Sequence, residues 1–236
     1  MAKLCPALIQ ALTRKHMKTV LFDLDGTLIN HFGAIARSIN HAQRQLGLPE
    51  SSLDTVKAAV GGGYKRTLQR LFGNDLASQA DPHFLQFFNA HLLEDIHILP
   101  GAREILQALH QRGKQLAVLT NKNGDAARRI LQHTGMDASF DVILGAGDTP
   151  HRKPDPAFTR AILDQLGAIP EDSLLVGDSP YDFEAARNVG MACCLVTTGS
   201  HTAEQLTAET SCREIFDDLN DLARELLNRE TECQPA

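Results

Sequence analysis

Short apolar, β-prone runs alternate with helical stretches along this chain, and that alternation constrains its fold more than any other feature. The runs fall at residues 20–22, 116–119, 142–144, 174–176 and 193–196, with a weaker one at 214–216. Each is only a few residues long and closes on polar or glycine residues, as buried strands do. Helical patterns occupy 101–112, 124–134, 156–166 and 181–189. Strand–helix alternation predicts an α/β fold, a Rossmann-like doubly wound parallel sheet covered on both faces. Such sheets bind ligands beyond the carboxyl ends of their strands. The polar residues directly after the apolar runs are therefore the ones to examine.

One interval breaks the alternation. Residues 31–98 show no strand-like run, only helical patterns at 33–46, 67–71 and 82–93. That is too long for a simple crossover, so it reads as a helical cap inserted after the first strand, with its two junctions close in space. The expected organisation is an N-terminal arm over 1–16, a core over 17–30 and 99–228, the cap over 31–98, and a tail over 229–236. The arm has an apolar stretch that is short, broken by Gln10 and followed by Arg14-Lys15-His16, which does not fit a cleaved leader.

Composition narrows the function classes. The chain has 236 residues, enough for one large domain or one with a smaller insert. Its 29 acidic and 23 basic side chains leave a formal charge of −6, so neither nucleic acid nor an anionic membrane is an expected partner. No apolar run approaches the roughly 20 residues that span a bilayer. Five cysteines without a Cys-x-x-Cys motif read as reduced structural thiols in a cytoplasm.

The first strand ends in Phe22-Asp23-Leu24-Asp25-Gly26-Thr27-Leu28. Two carboxylates separated by one residue can share a hard cation such as Mg²⁺, and a carboxylate can act as a covalent nucleophile. Alone, the pair is equally a strand-ending Asx turn. The second strand ends in Thr120-Asn121, a candidate cradle for phosphate oxygens or a plain helix cap. Lys153-Pro154 follows the third strand and could hold an ammonium over a phosphoryl group. After the fourth comes Gly177-Asp178-Ser179-Pro180-Tyr181-Asp182. There Asp178 is a further candidate ligand and Asp182 a support behind it, or simply part of a helix start. Phosphoryl transfer needs a nucleophile, a metal, positive charge and donors around one phosphorus. Each part here follows a different strand on the one edge where all can meet.

Asp23-x-Asp25-Gly26-Thr27, Thr120, Lys153-Pro154 and Gly177-Asp178-Ser179-x-x-Asp182 together resemble the motif series of the haloacid dehalogenase superfamily. The resemblance extends from Met17 to about Leu227, and is greatest to the phosphoglycolate phosphatase-like subgroup with a helical cap of the first type. It implies a Mg²⁺-dependent phosphatase acting on a small phosphorylated metabolite, phosphoglycolate being the first guess, as a monomer or homodimer. By the same resemblance Asp23 is the nucleophile, Asp25 the general acid and base, and Thr120 and Lys153 hold phosphoryl oxygens. Mg²⁺ falls to the Asp23 carboxylate, the Asp25 backbone carbonyl and Asp178. An ionised Asp23 suits that role, since a metal and Lys153 both favour the anion.

Asp25 argues against the dehalogenase and phosphonate-cleaving branches of the resemblance, and Thr27 favours hydrolysis over a sugar phosphomutase of the β-phosphoglucomutase type. A nucleotidase or pyrophosphatase is a further reading, and a phospho-accepting signalling domain or an inactive binding module the non-enzyme ones. Receiver domains are about half this length, lack a helical insert and do not open on Asp-x-Asp-Gly-Thr. Asn30 stands where many relatives carry Asp. In the cap, Gly61-Gly62-Gly63-Tyr64-Lys65-Arg66 makes Lys65 and Arg66 candidates for a second anionic group of the substrate, or merely solvated cations. His151, two residues before Lys153, reads as an ordinary loop histidine.

Overall fold

A computed structural model of the chain describes residues 17–232. The arm expected over 1–16 lies outside them, as does the end of the tail expected over 229–236. The strands are β1 (Thr19–Phe22), β2 (Ile29–Asn30), β3 (His97–Ile98), β4 (Gln115–Asn123), β5 (Val142–Ala146), β6 (Ser173–Gly177), β7 (Ala192–Val196) and β8 (Ile215–Phe216). The helices are α1 (Phe32–Gln45), α2 (Leu53–Ala59), α3 (Tyr64–Ala90), α4 (Ala102–Gln111), α5 (Gly124–Thr134), α6 (Pro156–Leu166), α7 (Pro180–Arg187), α8 (Ala203–Glu209) and α9 (Leu219–Glu232).

Six strands form one sheet in the order β5-β4-β1-β6-β7-β8, every neighbouring pair parallel. The first strand is thus central: Phe22 pairs with Val118 on one side and Val176 on the other. All of β1 is buried because both sheet faces are covered. The two-residue period sends Val20 and Phe22 into one core with Ile105, Leu131 and Leu222, from α4, α5 and α9. Leu21 enters the opposite core with Phe158, Ile162 and Ala185, from α6 and α7. This arrangement brings the ends of β1, β4 and β6 side by side, with the turn after β5 alongside.

The insert leaves after β1 and returns at α4. Its neck is a two-stranded antiparallel ribbon that pairs Ile29 with Ile98 and Asn30 with His97. Asn30 accepts a hydrogen bond from the Phe32 N–H (3.2 Å) and so shapes the turn into α1. Inside the insert three local readings differ from the sequence expectation. β3 and α2 are too short to carry a periodic signal, although Ser52 caps α2 by accepting from the Thr55 N–H. The patterns at 67–71 and 82–93 belong to one helical run whose interruption lies at Gly73, not at Pro82. Glycine alone takes the φ of 72° found there without strain. The insert's Ile35, Ile39, Leu68, Phe84 and Phe88 share one continuous core with the sheet, so it rests directly on the carboxyl-end edge.

Phe158 is fully buried beneath the sheet. Phe158→Ala leaves a cavity there that α6 cannot close, and should lower unfolding free energy by about 3–5 kcal/mol in urea titration.

Candidate active site

Three carboxylates meet at the edge of the sheet. Ligand oxygens of Asp23, Asp178 and Asp182 all lie within 4.8 Å of one another, and all three side chains are buried. One cation sits among them: Lys153 Nζ is 2.6 Å from Asp182 Oδ1 and 3.0 Å from Asp23 Oδ1. The contact with Asp182 is a hydrogen bond. That with Asp23 is close but off the hydrogen-bonding direction, so Asp23 Oδ1 is buried with a charge beside it and no donor.

The backbone explains how each carboxylate is held. Asp182 stands in the first turn of α7, and its Oδ2 accepts from the Ser179 hydroxyl (2.6 Å), the Ser179 N–H (3.1 Å) and the Asp178 N–H (3.3 Å). With Lys153 on its other oxygen, Asp182 is saturated and serves as a fixed counter-charge, the supporting place the sequence indicated. Asp178 Oδ2 takes the N–H (2.8 Å) and hydroxyl (3.1 Å) of Ser200. Gly26, at φ 91°, lets the first loop pass so close that a Cβ there would lie 2.7 Å from Asp178 Oδ2.

Charge accumulates at this point. Burial pushes Asp23 up to about 6, although Lys153 pulls it down. Burial, then the neighbouring Asp182 and Asp23, push Asp178 well above the ordinary carboxylate range. Burial works against the Lys153 ammonium, but Asp182 and Asp23 outweigh it and raise its pKa above the usual lysine value. With all three carboxylates ionised against one ammonium, two negative charges would have no counter-ion. A divalent cation with oxygen preference fits this demand, and the donor-free Asp23 Oδ1 is a ready ligand for it. Asp25 does not bring its carboxylate to this cluster, so a part in the metal set could come only from its backbone.

Instead Asp25 is gripped by Lys122, whose ammonium lies 2.9 and 3.1 Å from its two oxygens. The same ammonium is 3.3 Å from His31 Nδ1 and 5.1 Å from the Phe88 ring centroid. His31 Nε2 is 3.2 Å from the Glu94 carbonyl, which can only accept, so Nε2 carries the proton and Nδ1 accepts from Lys122. Burial, then Lys122, pushes His31 down to about 4. The line Asp25–Lys122–His31–Glu94 thereby joins the core to the insert.

Two other expected site residues are resolved by their bonds. Thr120 is free of the capping role, since Asn123 caps α5 by accepting from the Ala126 N–H (3.1 Å). The Thr120 oxygen accepts from the Lys122 N–H (3.2 Å), which leaves its own proton to donate. The cradle expected at Thr120-Asn121 uses a hydroxyl and backbone N–H groups, and Asn121 lines the cavity. The Asn121 side chain is engaged otherwise, its amide donating to the Gly61 and Lys153 carbonyls and its oxygen accepting from the Lys153 N–H. It clips the insert and the lysine loop together and has no donor left over. Thr27, whose identity favours hydrolysis in the resemblance, has its Oγ1 buried without a hydrogen-bond partner.

A cavity of about 330 Å³ lies between core and insert. Asp23, Asp25, Thr120 and Lys122 form its polar side, and Ile35, Val60, Phe84 and Phe88 its apolar wall. Lys65 and Arg66 do not line it. Both are exposed, and Arg66 lies over the Tyr181 ring instead (5.8 Å). The flexible-loop reading of 61–66 placed the cations by proximity, whereas the helix starting at Tyr64 turns Tyr64 and Thr67 inward. His151 pairs with Asp155 (2.7 Å), away from this cavity's lining.

Sequence reasoning missed Lys122, His31 and Ser200. Lys122 stands one residue beyond the Thr120-Asn121 that drew notice. Ser200 follows the fifth apolar run, where the same strand-end rule would have found it. His31 carried no local signal.

A buried aspartate with a cation beside it, a demand for a divalent ion and a small covered cavity together define a hydrolase built for phosphoryl groups on an α/β core. The comparisons place it more closely. The sequence pattern of haloacid dehalogenase-like hydrolases matches residues 20–196, and the chain belongs to that family. It is 31% identical to the phosphoglycolate phosphatase of Pseudomonas syringae pv. syringae (strain B728a), over 94% of this chain and 85% of that protein. To the phosphoglycolate phosphatase of Rhodospirillum rubrum it is 34% identical, covering 87% and 89%. A crystal structure of a predicted phosphoglycolate phosphatase from Haemophilus somnus 129PT superposes with a TM-score of 0.81 at 31% identity, covering 89% of this chain and 97% of that one. Within the family the chain falls in the phosphoglycolate-phosphatase-like group with a helical cap.

His31 must be neutral in the folded protein. Its folded pKa of about 4 lies below the ordinary 6.5, so the stability tied to it is complete above pH 6.5 and drains away as pH falls toward 4. Thermal melts at pH 7.5 and 5 should show a larger acid loss in the wild type than in His31→Gln. Equal losses would mean that His31 is protonated in the fold.

Proposed function

We propose that this hydrolase is a Mg²⁺-dependent phosphatase of small phosphomonoesters, with phosphoglycolate the first substrate to test, and that Asp23 is its nucleophile. The observation that carries this reading is Asp23 itself, buried at the cavity floor with an oxygen free of donors and the Lys153 ammonium 3.0 Å away. The cavity volume suits a small metabolite and not a polymer. Two curated relatives named phosphoglycolate phosphatase, at 31% and 34% identity, support that substrate. No helix among the described residues is long and apolar enough to cross a membrane.

The residues would divide the work as follows. An Asp23 oxygen attacks phosphorus while the bond to the ester oxygen breaks, giving an aspartyl-phosphate. Asp25, protonated, gives its proton to the departing alkoxide, a contribution typically worth about 10²–10⁴-fold. As a carboxylate it then takes a proton from water, whose oxygen attacks the same phosphorus and frees Asp23 and inorganic phosphate. The Thr120 hydroxyl and Lys153 ammonium hold the equatorial oxygens, and Asp182 keeps Lys153 in place. Mg²⁺ would be held by the carboxylates of Asp23 and Asp178 and the Asp25 backbone carbonyl, and would supply charge neutralisation for the incoming phosphoryl group.

Asp23→Asn should release no phosphate from phosphoglycolate, and Asp25→Asn should retain about 1% or less of wild-type kcat, both with unchanged circular dichroism. Wild-type turnover by Asp23→Asn would sink the covalent mechanism. EDTA should stop the reaction and added Mg²⁺ restore it. The ion competes with protons for Asp23, whose pKa without it is about 6. The rise in Tm on adding Mg²⁺ should therefore be full at pH 8 and shrink as pH falls through 6.

A further inference from the structure

Lys122 is the one cationic side chain among the described residues that line the cavity. Its side chain is only 6% exposed, so its ammonium needs a partner at all times. That partner is Asp25, held by both oxygens at 2.9 and 3.1 Å. His31 adds a neutral acceptor and Phe88 an aromatic face, and neither offers a competing charge. The grip has a chemical consequence. While both Asp25 oxygens are held in the ion pair with Lys122, the carboxylate is turned to the ammonium and is not the proton donor that the ester oxygen needs.

We propose that Lys122 is the specificity-determining residue of this site: it binds a carboxylate on the substrate and, by moving its ammonium to that carboxylate, releases Asp25 for proton transfer. The inference rests on the phosphatase reading above and adds to it the residue that recognises the carboxylate of a substrate such as phosphoglycolate and couples that recognition to Asp25. Exchange of one carboxylate partner for another keeps the buried ammonium paired throughout. Asp25, which loses its counter-ion in the swap, takes from solvent the proton that it passes to the departing alkoxide, so neither group is left as an isolated charge. An uncharged substrate of the same size offers Lys122 nothing to move to, and Asp25 stays clamped. The rest of the lining includes the apolar Ile35, Val60, Phe84 and Phe88 together with uncharged polar residues such as Tyr64, Thr67 and Asn89, and no other lining residue offers a carboxylate a positive charge. The exposed Lys65 and Arg66 lie outside the cavity lining.

The test compares phosphoglycolate with ethyl phosphate, which has a methyl group in place of the carboxylate. Wild-type kcat/KM should favour phosphoglycolate by at least about tenfold, in line with one charge-assisted contact of 1.4 kcal/mol or more. In Lys122→Met this ratio should fall by at least about tenfold, while Lys122→Arg, which keeps the charge, retains more of it than Met does. The ratio is the informative quantity, because a lysine that only supported the fold or positioned Asp25 would change both substrates alike. Equal wild-type efficiency on the two compounds would overturn the proposal without any variant. So would a Lys122→Met enzyme that is slower on both with its ratio intact. Phosphate release from neither compound by the wild type would instead overturn the phosphatase reading on which the proposal stands.

Discussion

The Lys153 ammonium, buried between Asp23 and Asp182, is the interaction around which the site is organised. An unpaired charge at that depth would cost several kcal/mol, and a carboxylate cluster without a cation would cost more. Folding therefore has to deliver the lysine and the aspartates together. The sheet does so by placing β1 between β4 and β6, so that the loops after three parallel strands open side by side. Much of the surrounding polar bonding holds this cluster in register. Asp182 is filled by Ser179, the Asp178 N–H and Lys153, Asp178 by Ser200, and Asn121 ties the backbone of Lys153 to the insert. What these bonds leave open is an Asp23 oxygen without a donor and an excess of negative charge. Those are the two properties that a nucleophile beside a divalent ion requires.

A second ion pair couples the core to the helical insert. Lys122 belongs to β4, yet it is bracketed by His31 at the start of α1 and Phe88 in α3. The Asp25 side chain therefore sits in a position decided by insert and core jointly. Tyr181 makes a second join between core and insert. It stands one residue before Asp182 in α7, receives a hydrogen bond from Arg70 of α3 (3.1 Å), and lies under Arg66. Any displacement of the insert thus disturbs both the loop that carries Asp178 and the partner of Asp25. Chemistry on the core and enclosure by the insert are physically linked through those two contacts.

The core was legible in the sequence because a buried parallel strand must be apolar throughout and must end in residues that can face water or ligand. Runs 20–22, 116–119, 142–144, 174–176 and 193–196 meet that condition, and each lies in a strand of the sheet. Rules about strand ends then pointed at Asp23, Thr120, Lys153 and Asp178 without any knowledge of distances. The insert was harder to read. Its break at Gly73, its seven-residue α2 and its two-residue β3 are too local for periodicity to register, since packing against the core sets them more than propensity does.

What the sequence determined by itself was the composition of the chemistry: which residue types follow which strands, and that an insert of helices would sit over them. Only the tertiary structure decided the division of labour among those residues. It assigned the Asn121 amide to backbone clamping, turned Lys65 and Arg66 outward, withheld Asp25 from the carboxylate cluster and set Lys122 beside it. The physical reason is that hydrogen bonds and ion pairs are exclusive. Each donor or acceptor atom has few places to give, and which partner claims it depends on neighbours more than 60 residues away in the chain, such as Lys122 for Asp25 and Glu94 for His31.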